Sequence, residues 1–140
     1  MNREAREERQ DREGDWGKAE AVTGRIIGFA IKVHRSLGPG LLENVYQDCL
    51  ALEITRAGMR CDRQVDLPLV YEGIRFDRAY HADLIVEQAV VIEIKSIETI
   101  LPVHVAQVLT YLRLSGCHIG LLLNFNEKML KEGLRRLVLS

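Results

Sequence analysis

The run HIGLLLNF, residues 118–125, is apolar at almost every position and most strongly constrains the fold. Such a run is typical of a strand that is buried on both faces of a sheet. Apolar residues at helical spacing predict helices near residues 16–37, 41–57 and 102–114. Three β-rich runs, joined by short turns, lie between the second and third helices and predict an antiparallel meander. These runs are VDLPLVY, FDRAYHADLIV and AVVIEIKSI, residues 65–71, 76–86 and 89–97.

The composition fits a single globular domain. The chain has 140 residues, of which 47% are hydrophobic and 28% charged, enough for one core. Residues 1–15 are mostly charged and are predicted to form a flexible tail before a single domain at residues 16–140. A solvated helical extension is the alternative, because Arg and Glu at spacings of three and four residues support an exposed helix. A small amphipathic element is expected at residues 129–138.

Charge and cysteine counts exclude several classes of protein. The formal net charge is −1, so no global basic field attracts nucleic acid, and any such contact needs a local patch. The 3 cysteines are widely spaced and fit neither a disulfide framework nor a zinc knuckle, which indicates a reducing, cytoplasmic location. No stretch approaches the roughly 20 apolar residues that cross a bilayer, and the N-terminus lacks an apolar signal core. We therefore expect neither a secreted nor a membrane-spanning protein.

Two charged residues interrupt the otherwise apolar strand VVIEIK. Glu93 and Lys95 are two residues apart, so their side chains project from the same face. Burying an unpaired charge is costly, so either this face is solvated and carries a surface ion pair, or the charges serve each other and a ligand. Asp83, in the preceding strand, is again a lone acid in an apolar run.

The length of the turn between these strands decides whether Asp83 meets Glu93. A three-residue turn at residues 87–89 places Asp83 opposite Glu93, whereas a two-residue turn places it on the other face. In the first register two carboxylates and an ammonium lie together. Mg²⁺ can use such a group through one or two carboxylates, with Mn²⁺ as the alternative ion. Lys95 would then position a water or neutralise charge on a phosphate.

Three further polar residues are candidates for this site. Gln107 and Tyr111, one turn apart on the third helix, are predicted to reach over the strand ends. The alternative is that Gln107 is solvated and Tyr111 only borders the apolar stripe. Glu43 lies in the first turn of the second helix, where its carboxylate favours the N-terminus and could cap the amide of Gly40. Because Glu43 shares a face with the stripe predicted to face the sheet, it is also a candidate metal or water ligand.

These residues resemble a known pattern. Asp83, the tripeptide EIK at 93–95, Gln107 and Tyr111 resemble the PD-(D/E)xK nuclease core, with the Gln-x-x-x-Tyr helix of its lambda-exonuclease-like branch. The segment GLLENVY, residues 40–46, resembles the signature of the GxxExxY protein family, which is placed in that superfamily. The resemblance extends from about residue 20 to the C-terminus. Alanine stands before Asp83 where the superfamily name has proline.

The resemblance implies a restriction-endonuclease-like α/β fold, with a mixed sheet flanked by helices. It implies that Asp83 and Glu93 bind Mg²⁺ together with the carbonyl of Ile94, that Lys95 is the catalytic lysine, and that Glu43 is an accessory acid. The implied function is that of a Mg²⁺-dependent nuclease that hydrolyses DNA, or alternatively RNA. Fold carries over from such a resemblance better than activity does.

Two other interpretations remain open. One is a non-catalytic module that keeps the nuclease fold and binds nucleic acid or a protein partner, which the near-zero net charge and small size favour. The other is a structural domain in which Asp83, Glu93 and Lys95 form a stabilising triad. We also expect a homodimer, because so small a domain has little surface with which to surround a duplex. The candidate cations for a phosphate path are Lys32, Arg35, Arg63, Arg78 and Arg113.

Overall fold

The structure, a computed structural model, describes residues 2–139, and for residues 8–13 it describes the backbone alone. Its elements follow the predicted order and add one strand at the end. The helices are α1 (Arg3–Leu37), α2 (Glu43–Arg56) and α3 (Pro102–Ser115). The strands are β1 (Cys61–Tyr71), β2 (Ile74–Val86), β3 (Val90–Lys95), β4 (Ile119–Asn124) and β5 (Leu134–Val138), and a short 3-10 helix (Leu130–Gly133) precedes β5.

Within residues 2–139 the strands form one mixed sheet of five strands, in which spatial order follows chain order. The first three strands are antiparallel, as the predicted meander requires. β3 and β4 are parallel, and β5 returns antiparallel to β4. α3 connects the two parallel strands. A mixed sheet flanked by helices agrees with the predicted α/β fold class.

Different helices cover the two faces of the sheet. On one face, Ile26 of α1 and Leu50 of α2 are fully buried in one cluster with Ile92 of β3. On the other face, Leu112 of α3 is buried with Val91 of β3. All of β4 is buried, which confirms the strand covered on both faces that the apolar run predicts. Successive residues of β3 therefore point to different helical layers.

Helix α1 begins at Arg3 and includes the charged N-terminal segment. The side chain of Asn2 caps it by accepting a hydrogen bond from the amide of Ala5 at 2.8 Å, and Arg3 pairs with Glu7 one turn later at 2.9 Å. The structure thus has the helical extension that the sequence leaves as an alternative, while the flexibility of this segment stays a prediction. Although α1 is long, no helix of residues 2–139 is apolar enough over a sufficient length to cross a membrane.

Strand β5 occupies part of the predicted terminal amphipathic element. Its half-buried residues are Leu134 and Leu137, and Arg135, Arg136 and Val138 are exposed. Leucines three residues apart share one face of a helix, whereas in a strand they point to opposite faces, and here Leu134 packs against the cluster under α1 and Leu137 against the cluster under α3. Pairing with β4 decides in favour of the strand.

Gly120 on β4 allows α3 to pack closely on the sheet. A Cβ atom at this position would lie 2.6 Å from Val108 Cγ1 and 3.4 Å from Leu112 Cδ2. We expect Gly120→Ala to lower the free energy of unfolding by about 1–3 kcal/mol, because α3 must move away. Urea denaturation measures the change. Gly28→Ala on α1 is the control, because nothing lies within 4 Å of the added methyl group. Its free energy of unfolding should rise by about 0.5–1 kcal/mol, because alanine favours the helix more than glycine does. Equal stability of Gly120→Ala and wild type would contradict this packing.

Candidate active site

The turn between β2 and β3 has the three-residue form, at residues 87–89. Val86 pairs with Val90, so the ladder places Asp83 opposite Glu93. The first two turn residues both have a φ of 53°, in the left-handed region that lets the chain reverse within so short a loop. The register predicted from the sequence is therefore confirmed, and the two acids face each other across neighbouring strands.

The two acids exchange hydrogen bonds with the opposite strands. The amide of Asp83 donates to Glu93 Oε1 at 2.9 Å, and the amide of Ile94 donates to Asp83 Oδ2 at 2.8 Å. The regular Cα pairing of β2 and β3 ends at Leu84 and Ile92, immediately before these contacts. The carboxylates thus accept amide hydrogens that the backbone ladder no longer pairs.

Burial and charge repulsion perturb Glu93. Its side chain lies in the sheet under α3, and the residue is 5% exposed. Burial, followed by the negative charge of Asp83, raises the pKa of Glu93 to about 8, although the Asp83 amide and Lys95 act in the opposite direction. At neutral pH the neutral form of this carboxyl group is therefore favoured while no cation replaces its proton.

Asp83 is half-buried, and its pKa is also raised. Burial is the main cause, and the charge of Glu43 adds to it. The Ile94 amide, the charge of Lys95 and the polar side chain of Gln64 lower the pKa and offset part of the shift. The pair therefore costs less to ionise when further positive charge is supplied.

Lys95 ends β3, two residues after Glu93 and on the same face. It is half-buried, and within the described part of the chain no carboxylate forms an ion pair with it inside 4.0 Å. Its main chain is held firmly, because the amide of Phe125 donates to the Lys95 carbonyl at 2.9 Å. The ammonium thus lies near enough to lower the pKa of both acids but is not bound to either.

Glu43, the first residue of α2, contacts the loop after β3. Its Oε1 accepts a hydrogen bond from the Ser96 amide at 3.2 Å, and Ser96 Oγ donates to the Leu41 carbonyl at 2.6 Å. Among the hydrogen bonds of the described residues, Glu43 accepts none from Gly40, so the suggested cap is not formed. The residue is exposed, yet its charge raises the pKa of both Asp83 and Glu93.

Tyr46 and Gly40 shape the loop that leads to Glu43. The Tyr46 hydroxyl donates to the Gly38 carbonyl at 2.6 Å and accepts from the Leu41 amide at 3.1 Å. Its ring is stacked on Phe125, with 4.5 Å between centroids. Gly40 has a φ of 97°, a conformation that glycine adopts without strain. The glycine and tyrosine of the GLLENVY segment therefore position its glutamate.

Helix α3 covers the acids with Tyr111. This residue is 7% exposed, and burial, followed by the charges of Glu93 and Asp83, raises its pKa to about 12. Its ring contacts that of Tyr80 with 5.7 Å between centroids. Gln107 is half-buried and lies one turn earlier, on the same side of the helix. Tyr111 thus lies over the acids, and Gln107 is placed toward the same face.

Sequence reasoning did not identify Asn124, which ends β4 beside Lys95. Its side chain is fully buried, accepts from the amides of Ile97 and Asn126, and donates to the Ile97 carbonyl. It therefore fixes the loop that follows Lys95. The sequence signal that could have identified Asn124 is its position as a polar residue inside the apolar run HIGLLLNF.

Gln64 and Gln47 are also new to the site. Gln64 lies on β1 beside Asp83, and its Nε2 donates to Gln47 Oε1 on α2 at 3.1 Å. No sequence pattern marks this pair, because the contact depends on an unusual backbone conformation of Gln64, with a φ of 48°.

The donor set suits a hard divalent cation. Asp83 and Glu93 each use one carboxylate oxygen between the strands, so each has a second oxygen for a ligand. Mg²⁺ is commonly held by one or two carboxylates together with water. Within the described residues no group of three His, Cys, Asp or Glu side chains is close enough to hold a metal, so the fit depends on these two acids. The Ile94 carbonyl and Glu43 stay predicted ligands.

A comparison with known protein families gives a match that covers most of the fold and all the candidate residues. The sequence profile of the PD-(D/E)XK nuclease superfamily matches residues 20–137. The chain belongs to this superfamily. PD-(D/E)XK nucleases generally use divalent metals, in agreement with the donor set. No curated protein and no solved structure matches the chain. Membership of the GxxExxY family in particular stays a prediction.

The raised pKa of Glu93 predicts a pH-dependent stability. Its folded pKa of about 8 lies above the ordinary value of 4.5. The protonated carboxyl group of Glu93 therefore contributes fully to the free energy of unfolding below about pH 4.5, and this contribution is lost as the pH rises through about 8. Glu93→Gln keeps an oxygen for the Asp83 amide and removes the titration. Between about pH 5 and pH 8.5, in the presence of a chelator, the free energy of unfolding of wild type should fall by on the order of a few kcal/mol more than that of the variant. Urea denaturation tests this, and parallel curves would contradict it.

Proposed function

We propose that the chain is a Mg²⁺- or Mn²⁺-dependent nuclease that hydrolyses phosphodiester bonds of nucleic acid, with DNA as the first candidate and RNA as the second. The observation that supports this most is the opposed pair Asp83 and Glu93, whose pKa values are both raised, with Lys95 on the same face. Perturbed carboxylates grouped beside a cation are typical of catalytic sites. The nuclease superfamily of the chain makes phosphodiester hydrolysis the reaction to expect.

Each side chain has a distinct proposed role. Asp83 and Glu93 hold the cation, which when bound supplies a water of lowered pKa and stabilises charge on the phosphate. Lys95, which is not held in an ion pair by the described residues, directs its ammonium to the attacking water or the phosphate. Tyr111 remains a protonated donor at neutral pH, and Gln107 contacts the substrate beside it. Glu43 acts as the accessory acid.

The phosphate path would begin near Arg35. This residue lines a cavity with Lys128 and Lys131, and no acidic side chain is among the residues that line it. Both lysines follow β4, whose last residue pairs with Lys95 in the sheet. Three other candidate cations are in exposed ion pairs worth about 0–1 kcal/mol, from which a phosphate can displace the acid. These pairs are Lys32–Glu53, Arg63–Asp48 and Arg78–Asp66. The fifth, Arg113, donates to the Thr110 hydroxyl.

The alternative function is a non-catalytic module with the nuclease fold, which binds nucleic acid or a protein partner. The formal net charge of −1 favours it, because a nuclease of this size has little electrostatic attraction for a duplex. Both functions require the same fold, so the response to metal and the cleavage of nucleic acid separate them.

The reducing, cytoplasmic location also stays a proposal. Cys49, Cys61 and Cys117 are free thiols. Burial raises the pKa of Cys61 and of Cys117, which keeps both in the less reactive thiol form. Free, protonated thiols support a reducing location.

We further infer that the chain forms a homodimer through the hairpin end of β1 and β2. Four large apolar side chains there are at least half exposed. They are Val70, Tyr71, Ile74 and Phe76, which are 63%, 65%, 60% and 50% exposed. Clustered apolar residues at a surface mark interaction sites, and a second copy of this hairpin has a matching apolar surface.

The metal-dependent function predicts a specific pattern in two variants. Mg²⁺ or Mn²⁺ should raise the melting temperature of wild type, because the cation binds the native state only. Glu93→Ala should remove this increase, because one of the two carboxylate ligands is lost. Lys95→Ala should keep the increase but lose cleavage of linear, circular and single-stranded substrates. Thermal melts and a cleavage panel on purified protein measure both effects.

Lys18→Ala, on the exposed surface of α1, is the control for loss of a lysine and should change neither result. Metal binding by wild type without cleavage of any substrate would favour the non-catalytic module. Cleavage that survives in Lys95→Ala would assign the activity to a contaminant or to another site.

The homodimer predicts a species of twice 15.9 kDa in sedimentation velocity at micromolar concentration. The double variant Tyr71→Lys, Ile74→Lys should sediment as a monomer, because it places charge in the apolar contact. Wild type that sediments as a single 15.9 kDa species would refute the dimer.

A further inference from the structure

His104 closes the N-terminus of helix α3, three residues after the N-cap residue Leu101. The Leu101 amide donates to His104 Nδ1 at 2.9 Å, and the His104 amide donates to the Leu101 carbonyl at 3.0 Å. A side chain at this position commonly closes a helix in this way, and glutamate or glutamine is the usual residue. His104 therefore pairs an amide hydrogen that the helix itself leaves without a partner.

The contact with Leu101 determines the tautomer of the His104 ring. A backbone amide can only donate its hydrogen, so Nδ1 is the unprotonated nitrogen that accepts it. In a neutral imidazole the hydrogen then lies on Nε2, which can act only as a donor. Within the described residues Nε2 makes no hydrogen bond, and no carboxylate lies within 4.0 Å of the ring nitrogens. The half-buried ring thus presents an N–H group without an acceptor in that part of the chain.

The first turn of α3 lies at the end of the sheet where the acids are. The loop 96–101 joins β3 to α3, so the helix begins at the sheet end that Lys95 occupies. Asn124 holds this loop against β4, because its side chain bonds both the amide and the carbonyl of Ile97. No acidic residue lies in the first turn of α3. The helix N-terminus that His104 closes is therefore at the mouth of the candidate site.

His104 also lies on the side of α3 that packs on the sheet. His104, Gln107 and Tyr111 follow one another at spacings of three and four residues, so they share one side of the helix. Tyr111 is buried in one cluster with Val91, which shares its face of β3 with Glu93. His104 is about 10 Å from Tyr111 along the helix axis, at a rise of about 1.5 Å per residue. His104 thus lies beyond the acids, on the side from which a strand would enter.

A histidine at this position differs from the usual glutamate in the charge that it leaves at the mouth. A glutamate would also close the helix, but its carboxylate would repel a phosphate. The neutral imidazole closes the helix and keeps an N–H donor free. A hydrogen bond from such a donor to an ionised phosphate oxygen is about twice as strong as one between neutral groups. The side chain therefore suits an anionic substrate.

We propose that His104 binds the nucleic-acid substrate, through a hydrogen bond from Nε2–H to an oxygen of the phosphate next to the one that is cleaved. This inference rests on the nuclease function proposed above and adds a substrate-binding residue to it. The neighbouring phosphate is the partner, because His104 lies at the mouth of the site and not over the acids. A phosphate contact carries no base information, so His104 should contribute to binding whatever the base sequence.

A purely structural role is the competing explanation, in which His104 only closes the helix. Two variants separate these roles, because both keep an oxygen that accepts from the Leu101 amide. His104→Gln also keeps an N–H donor, whereas His104→Glu replaces the donor with a negative charge. A purely structural role predicts that both variants match the unchanged chain in stability and in binding.

The test is fluorescence anisotropy with labelled single-stranded DNA, duplex DNA and single-stranded RNA, in Mg²⁺. The full chain carries Lys95→Ala in every sample, so that the substrate stays intact. His104→Glu should weaken binding by about 10–100-fold, because a hydrogen bond to a charged group is lost. His104→Gln should bind nearly as tightly as the chain with Lys95→Ala alone. Urea denaturation should show little change in the unfolding midpoint of either variant, because the helix stays closed.

His118→Glu is the matched control for charge. It changes the net charge by the same amount, and His118 precedes β4, at the opposite end of that strand from Asn124. It should bind nucleic acid like the chain with Lys95→Ala alone. Equal weakening by His118→Glu and His104→Glu would assign the effect to net charge and overturn the role of His104.

Long-range proton–nitrogen NMR provides a second measurement. Above neutral pH, the ring of His104 should be the Nε2–H tautomer, and its Nε2 resonance should shift when DNA is added. An Nδ1–H tautomer, or unchanged binding in His104→Glu, would overturn the role of His104 and leave the proposed function intact. A chain with Lys95→Ala that binds none of the three nucleic acids, together with a wild type that cleaves none, would overturn the proposed function and the role of His104 with it.

Discussion

The hydrogen bonds that Asp83 and Glu93 exchange across β2 and β3 determine the rest of the site. Each carboxylate accepts an amide hydrogen where the regular pairing of the strands ends, so the backbone stays satisfied as the strands separate. The arrangement brings two acids together in a partly buried place, which raises both pKa values. Lys95 offsets only part of that cost. A divalent cation would offset more, which connects the sheet geometry to the metal-dependent chemistry proposed above.

The surrounding elements bring further groups to the same end of the sheet. β3 and β4 are parallel, so their last residues, Lys95 and Asn124, lie side by side and their loops leave the sheet together. Asn124 fixes the loop after Lys95, and the Ser96 amide of that loop donates a hydrogen bond to the Glu43 carboxylate. Ligand sites at the carboxyl ends of parallel strands are general in α/β proteins, and here the antiparallel neighbour β2 adds its acid at the same place.

Much of this arrangement follows from local sequence patterns. The three helices and the first four strands could be predicted because their apolar spacing is regular. The register of Asp83 and Glu93 could be predicted because it depends only on the length of the turn at residues 87–89. Strand β5 could not be predicted, because two leucines three residues apart fit one face of a helix, whereas in the strand they lie on opposite faces of the sheet. Gln64 could not be predicted either. Its hydrogen bond to Gln47 on α2 accompanies a positive φ within β1, a conformation for which glutamine itself has no preference.

The same geometry argues against a purely stabilising triad of Asp83, Glu93 and Lys95. Stabilising ion pairs lower the pKa of their acids, because the charged form gains from the partner. Here burial dominates and both pKa values are raised, so ionising these acids lowers the free energy of unfolding. Within the described residues Lys95 also lies outside ion-pair distance of both acids. Two acids whose ionisation costs stability, in a chain that belongs to a nuclease superfamily, support the cation site proposed above, because a cation would supply the missing positive charge.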